Sequence, residues 1–578
     1  MKLNKWVVGS IIIIIFLAAC FIGIKAAKKI YRHIKKPKLY DARPLIKQLN
    51  GSSITPDYKI FVASSLDRIF KDGRTTLKPT FTTSAILSAA RHEYESFQIV
   101  INAPKHDLTG VYIKTSPLKN KQTGEVFASE NITWRSVGYV QTITPYYPTK
   151  FVGLWPDPLI PVKSVDVKAQ TVQPLWVTVY VPANTLAGDY EGSIEVGIMG
   201  YEPQHIPVKL KVYNFTLPKE SQLKTAFDFY GHITKIRYPQ GKNEADEAWQ
   251  ARLNDLNDKF IVSMLKYRMN PVLNLDPTSQ GELSNVDRYR ALGLNNFSIG
   301  KRGGTFNNNW PEDEVSIEEL LDTYRTYGES LKLNGLLEFN YIYTWDEGDM
   351  GNPRVSKIAS MIHRAYPGLK NMVCYHGLWD PDSMPGWGKD IDIWTFQIDD
   401  YNEERFNKLK ALGMEMWMYI SGPAGTTSPN LAMDFDSIDY RIISWVCWKF
   451  DIKGFLYWCV NWWPKVDPFT NAANSDWAQN GNGLLFYPGT DGPWASLRVE
   501  VFRDGMEDYE YIQLLIKKLQ ALRHSPNYER NKTFFDDSKA LLTMDDSIVA
   551  SMTKFTRDGE TLKNRRNAIA QKIEELLK

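Results

Sequence analysis

Two adjacent carboxylates end an aromatic run in this chain. Tyr341, Tyr343 and Trp345 punctuate the stretch YIYTW, and Asp346 and Glu347 follow directly, with Gly348 behind them. Aromatic and β-branched residues in this density are strand chemistry. Two repelling carboxylates at the end of a buried strand are costly unless they are paired or used. Acid–base chemistry uses such a pair when the two environments differ, so that one carboxyl is held protonated while the other stays ionised. The competing reading is structural, with Asp346 capping the next turn and Glu347 in a surface ion pair.

The elements that position this pair follow from the pattern around it. Residues 57–213 read as short alternating strands separated by turns, among them ESFQIVINA, LTGVYIKTS, QPLWVTVYVPA and YEGSIEVGIM, which predicts a β-sandwich. NFTLPKE, with Pro218, reads as its exit linker. The pattern then changes. KTAFDFY, MNPVLNL, NNFSIG, LLEFNYIYTW, NMVCYHG, DIWTFQI, MEMWMYIS and GFLYWCVNWW are strand-length apolar segments, and helical stretches such as SIEELLDTYRTYGESLKL separate them. Eight strands alternating with helices predict an α/β fold, a (β/α)8 TIM-type barrel behind the sandwich, followed by a helical C-terminal region. The expected divisions are 1–38, an apolar anchor and basic segment; 39–219, the sandwich; 220–496, the barrel; and 497–578, the helices.

In this count Asp346 and Glu347 end the fourth barrel strand, where enzymes of this architecture place catalytic residues. Neighbouring strand residues point to opposite faces, so both carboxylates face the mouth only if the strand curls, an event expected at Gly348. Further candidates rest on strand position. His376 ends the fifth strand, Trp394 and Gln397 lie on the sixth, Tyr419 on the seventh, and Trp458, Asn461, Trp462 and Trp463 close the eighth. Indole rings at a barrel mouth, Trp345 included, can floor a sugar site or simply fill the core. RDGMEDYEY (503–511) reads as a structural clamp to the barrel base, and Asp157 in WPDPLIP as an interface residue within reach of the pocket rim.

Composition narrows the partners. The net charge of +3 is concentrated near Lys25–Lys38 rather than spread over a basic surface, which argues against nucleic acid. Aromatic content of 13%, with 18 Trp and 30 Tyr, fits carbohydrate contact as well as core packing. Cys374, Cys447 and Cys459 fall in apolar segments and read as buried hydrophobes. No metal-ligand spacing occurs and no cofactor is expected. Trp6–Ile24 is long and apolar enough to span a bilayer, and LAAC, ending at Cys20, resembles a lipoprotein signal. The basic residues after it favour retention inside. The segments that follow resemble exported modules, so against that charge signal the body is expected on the extracytoplasmic face of a bacterial membrane.

ARHEYESFQIVI, WPDPLIP, TWDEG, GFLYWCVNWW, NGNGLLFYPG and SLRVEVFRDGMEDYEYIQLL, in that order over residues 57–523, resemble glycoside hydrolase family 123 and related bacterial proteins with a C-terminal domain of unknown function. The resemblance implies an exo-acting β-N-acetylgalactosaminidase using substrate-assisted catalysis. It makes Glu347 the general acid/base and Asp346 the carboxylate that orients the 2-acetamido group; from strand position alone, a tyrosine hydroxyl at the mouth is a candidate to bond that group. A different specificity on the same scaffold, or an anchored glycan-binding protein without turnover, remains an alternative reading of the residues.

Overall fold

The computed structural model describes residues 38–49, 57–300, 310, 313–347, 353–377, 390–422, 427–464, 466–473 and 478–577. The anchor expected over Trp6–Ile24 lies outside them. Among the described residues no helix is long and apolar enough to cross a membrane.

The first half is a sandwich of a five-stranded and a seven-stranded sheet. The long strands Glu93–Ala103 and Thr171–Val181 pair antiparallel along eleven residues. Their inward residues Phe97, Ile99, Ile101, Leu175, Val177 and Val179 meet Leu87, Val111, Ile194, Val208 and Leu210 of the facing sheet. Alternation in the sequence thus becomes one shared core, as two packed sheets require.

The second half is a parallel sheet of seven strands: β1 (Lys224–Phe227), β2 (Phe297–Ser298), β3 (Asn340–Asp346), β4 (Asn371–Tyr375), β5 (Ile393–Gln397), β6 (Glu415–Tyr419) and β7 (Gly454–Tyr457), in the order β1-β7-β6-β5-β4-β3-β2. The expected second strand, MNPVLNL, forms no strand. It contributes only isolated parallel bridges, Pro271 to Phe227 and Leu275 to Ile299, which bring the two ends of the sheet almost together. Pro271 has no N–H for a ladder, and Asn274 takes a left-handed φ of +49°, so pairing stops between the bridges. The result is a nearly closed parallel barrel within a mixed α/β fold.

Ala226, Tyr341, Tyr343, Met372, Cys374, Ile393, Trp417, Tyr419 and Leu456 alternate along the strands and fill the barrel interior. Trp417 occupies so much of it that a Cβ on Gly454 of the neighbouring strand would stand 2.1 Å from its ring, which requires glycine there. Cys374, Cys447 and Cys459 are buried, and among the described residues no disulfide joins them.

Helix α1 (Leu497–Arg523), which carries RDGMEDYEY, does not lie under the barrel base as expected. Phe502 packs against Phe227 and Phe455, so the helix runs along the outer wall beside β1 and β7. Its other side meets the sandwich. Arg498 forms a two-bonded ion pair with Asp157, and Arg135 of the sandwich donates to Glu500. Asp157 is fully buried, receiving Tyr487 Oη as well, and so does not reach a pocket rim. These contacts fix the barrel against the sandwich.

Candidate active site

Strand β3 explains how both carboxylates come to one side. Its register with β4 runs Tyr343 to Met372 and then Trp345 to Val373, two steps against one, which marks a bulge at Thr344. The bulge is held in place. Thr344 Oγ1 donates to the buried Asn371 side chain at 2.9 Å, and its carbonyl accepts from Trp310 Nε1 at 2.9 Å. Beyond it the facing of the strand is reversed, so Asp346 points inward like Tyr343, and Tyr343 Oη donates to Asp346 Oδ1 at 2.8 Å.

The curl expected at Gly348 is already made at Glu347, whose φ is +48°. Non-glycine residues rarely adopt this conformation, and its cost of about 1–3 kcal/mol is characteristic of functional sites. The amide of Glu347 still bonds Cys374 O at 3.0 Å, so the ladder extends one residue while the side chain turns back across the mouth. There Tyr419 Oη, from the end of β6, donates to Glu347 Oε1. Burial, with Cys374 and Glu347 close by, pushes the Tyr419 phenol far above its ordinary range, so it is a standing donor. Asp346 is almost fully buried and Glu347 half-buried.

The other expected site residues divide. His376 is exposed at the end of β4; its Nδ1 bonds Asp400 Oδ2 at 3.0 Å, and the same oxygen accepts from Gly377 N at 2.8 Å. Asp400 thus fixes the ring. Trp458 and Trp462 are half-buried neighbours with ring centroids 5.5 Å apart. Trp462 also meets Tyr230 at 5.8 Å. Gly483 makes room for Trp458, since a Cβ there would come within 2.3 Å of its ring. These rings form an aromatic wall beside the end of β7.

Four expected residues are placed elsewhere. The Thr344 bulge turns Trp345 outward, into the core between barrel and helices. Trp394 follows the inward Ile393, so it too faces outward, against Tyr375 at 5.7 Å. Trp463 is fully buried, donating Nε1 to Phe486 O at 3.0 Å. Asn461, also fully buried, clamps both backbone groups of Tyr230, accepting from its N and donating to its O at 3.0 Å each. These side chains build the walls of the site rather than its surface. Gln397 faces inward near the mouth and donates to Ser421 O. The residues that sequence reasoning passed over are Tyr343, noted only as an aromatic flank, and Asp400, for which no local signal exists.

Sequence comparison agrees with this architecture. Residues 308–515 match the family model for the glycoside hydrolase 123 catalytic domain, and residues 64–198 match that for the glycoside hydrolase 123 N-terminal domain. The chain belongs to glycoside hydrolase family 123. It is therefore a glycoside hydrolase, and the pair at the end of β3 lies within its catalytic domain. Among solved structures, a family 123 glycoside hydrolase from Clostridium perfringens, described for glycolipid glycan hydrolysis, superposes with a TM-score of 0.65 at 14% identity over 90% of this chain and 98% of its own. That likeness concerns the fold. A family 39 glycoside hydrolase from Bacteroides cellulosilyticus WH2 (TM-score 0.33, 10% identity, 74% of this chain and 82% of its own) and the GH5 xyloglucanase of Bacteroides ovatus (0.28, 9%, 73% and 98%) are far more distant. No curated protein matches the chain.

Proposed function

We propose that this family 123 enzyme removes terminal β-linked N-acetylhexosamine, in the first instance N-acetylgalactosamine, from an extracellular glycan, with retention and with the substrate's own 2-acetamido group as nucleophile. The observation that carries this reading is the pair itself: adjacent carboxylates, both brought to the barrel mouth by a bulge and a left-handed residue, each held at one oxygen by its own tyrosine.

Each phenol donates, so each claims one oxygen as an acceptor. Tyr419 on Oε1 leaves Oε2 of Glu347 to carry the proton delivered to the leaving group. Tyr343 holds Oδ1 of Asp346, and this carboxylate faces the acetamido N–H. In the first step the acetamido oxygen bonds to the anomeric carbon as the glycosidic C–O bond breaks. The leaving oxygen keeps the electron pair and takes the Glu347 proton, while Asp346 stabilises the N–H of the oxazolinium. Water then adds to the anomeric carbon, giving its proton to Glu347, and the acetamido oxygen departs with its electrons. The rule relating carboxylate separation to stereochemistry does not apply, because the nucleophile belongs to the substrate. Trp458 and Trp462 supply apolar surface for the sugar face. An N-terminal anchor at Trp6–Ile24 holding the domains outside a bacterial membrane belongs to the same proposal.

The test is hydrolysis of aryl β-N-acetylgalactosaminide by the chain, beside the N-acetylglucosaminide and the plain galactoside, with Glu347→Gln as the control. Turnover of the acetamido sugars, absent with the galactoside and lost in the variant, supports the reading. Turnover of the galactoside at a comparable rate overturns it.

A further inference from the structure

We infer that Tyr343 is a positioning residue that acts on the reaction only through Asp346, by fixing which carboxylate oxygen is presented to the substrate's acetamido group. The inference rests on the substrate-assisted reading above and goes beyond the carboxylate pair. Tyr343 lies one layer deeper in the barrel than the pair, only 1% exposed, among the inward side chains Tyr341, Met372, Cys374 and Trp417. From that depth its ring takes no part in flooring the sugar, and its hydroxyl, 2.8 Å from Asp346 Oδ1, is the part that bears on the chemistry.

The geometry points to a built device. In a regular strand, residues three apart face opposite sides, and a tyrosine at 343 would be unable to reach a carboxylate at 346. They meet because one extra residue is inserted between them, and that residue is pinned from two directions. Asn371, itself fully buried and donating its amide to Ala359 O and Asp390 O at 3.1 Å each, receives the Thr344 hydroxyl. Trp310 caps the Thr344 carbonyl. A bulge so secured keeps Tyr343 and Asp346 in one register. A buried phenol cannot rotate away to solvent, so the bond it makes selects Oδ1 and sets the plane of the carboxylate. With Oδ1 held by the phenol, the two oxygens are no longer equivalent, and the carboxylate keeps one orientation. Misplacement of a reacting group by about 1 Å costs on the order of 100-fold in rate, which bounds what such aiming is worth.

The role separates from a structural one by a double-mutant cycle with a chemical readout. Tyr343→Phe, Asp346→Asn and the double variant are compared with wild type on aryl N-acetylgalactosaminides carrying acetyl, fluoroacetyl, difluoroacetyl and trifluoroacetyl groups at the 2-amino position. Fluorination weakens the acetamido oxygen as a nucleophile. Tyr343→Phe is expected to lower kcat about 10- to 100-fold with little change in KM. It should also steepen the decline across the fluorinated series, since a badly aimed Asp346 gives the nucleophile less help. Dependence on the aryl leaving group, governed by Glu347, should stay that of wild type. In the double variant the tyrosine change should add nothing to the loss caused by Asp346→Asn.

Multiplying losses in the double variant, or a wild-type fluorine dependence in Tyr343→Phe, would overturn the assignment while leaving the substrate-assisted mechanism standing. A wild-type enzyme indifferent to fluorination would instead overturn that mechanism and this inference with it. Thermal unfolding of each variant separates a packing defect from loss of alignment, and an unfolded Tyr343→Phe would itself assign the residue to packing.

Discussion

Tyr419 and Glu347 stand on different strands of the barrel, 72 residues apart in the chain, and are joined by a hydrogen bond from the phenol to Oε1. The contact requires Glu347 to adopt its left-handed backbone, because an extended residue at this position would carry its side chain to the opposite face. One consequence is that Tyr419→Phe should leave the fold intact but free the carboxyl to rotate. Its kcat is expected to fall about 10- to 100-fold with a poor leaving group, and much less with dinitrophenol, which departs without a proton. A series of aryl leaving groups measures this directly. Equal loss across the series would separate Tyr419 from proton delivery.

Glu347→Gln removes the proton donor altogether. General acid–base catalysis contributes roughly 10²- to 10⁴-fold, so natural-type leaving groups should lose that much. With activated aryl substrates the first step survives and hydrolysis of the intermediate becomes limiting. Added azide needs no general base and should restore turnover, giving the β-glycosyl azide. Identification of that product by NMR checks both the role of Glu347 and the retention of configuration.

The sequence made the pair legible and hid the means by which it works. TWDEG sits at a strand end, and strand ends of parallel barrels gather chemistry, so Asp346 and Glu347 stand out from local pattern. The sandwich was equally readable, because two-residue alternation survives in its long strands. What could not be read is register. The bulge at Thr344 reverses the facing of every residue after it, which is why Trp345 lies in the outer core and Asp346 inside. Its cause is a pair of contacts from Asn371 and Trp310, remote in sequence. Trp394 was indistinguishable from a ligand-facing indole for a similar reason, since a strand buried on both faces carries large apolar residues on both. Pro271 is visible in the sequence as an obstacle to pairing, whereas the left-handed turn at Asn274 is not.

The ion pair of Arg498 with Asp157 predicts where the two halves of the molecule are most vulnerable. Both side chains are fully buried, with bonds of 2.9 and 2.8 Å, and Asp157 lies on a sandwich strand while Arg498 opens the helix along the barrel wall. Removing one partner of a buried pair costs about 3–5 kcal/mol, because the other charge is left desolvated. Asp157→Asn should therefore lower the urea midpoint strongly. Replacing both, as Asp157→Asn with Arg498→Met, should recover part of the loss but not all, because Arg68, also fully buried and 3.5 Å from Asp157, stays charged. Urea denaturation of the single and double variants tests the coupling, and additive losses would show that the two residues act independently.

Helix α1 also predicts a pH dependence of stability. Burial raises the Glu510 carboxyl from an ordinary 4.5 to about 7, against the opposing influence of Arg268 and the hydrogen bond from Gln222 N. A raised carboxylate pKa means the folded protein holds a proton that the unfolded chain releases. Between pH 4.5 and 7 the unfolded state binds fewer protons, so stability falls as pH rises, and above 7 the loss is complete. At 1.36 kcal/mol per unit, the whole effect is about 3 kcal/mol. Glu510→Gln retains a carbonyl oxygen for the Gln222 amide, 2.7 Å away, and has nothing to ionise. Other carboxylates in the same region, Glu93 and Asp504 among them, are raised by burial too, so the wild-type curve contains their contributions as well. The measurement is accordingly the difference between variant and wild type, by chemical denaturation at pH 5, 6, 7 and 8. That difference should move by about 2 to 3 kcal/mol in favour of the variant from the lowest pH to the highest, part of the effect having passed below pH 5. A constant difference would mean that Glu510 ionises alike in the folded and unfolded states.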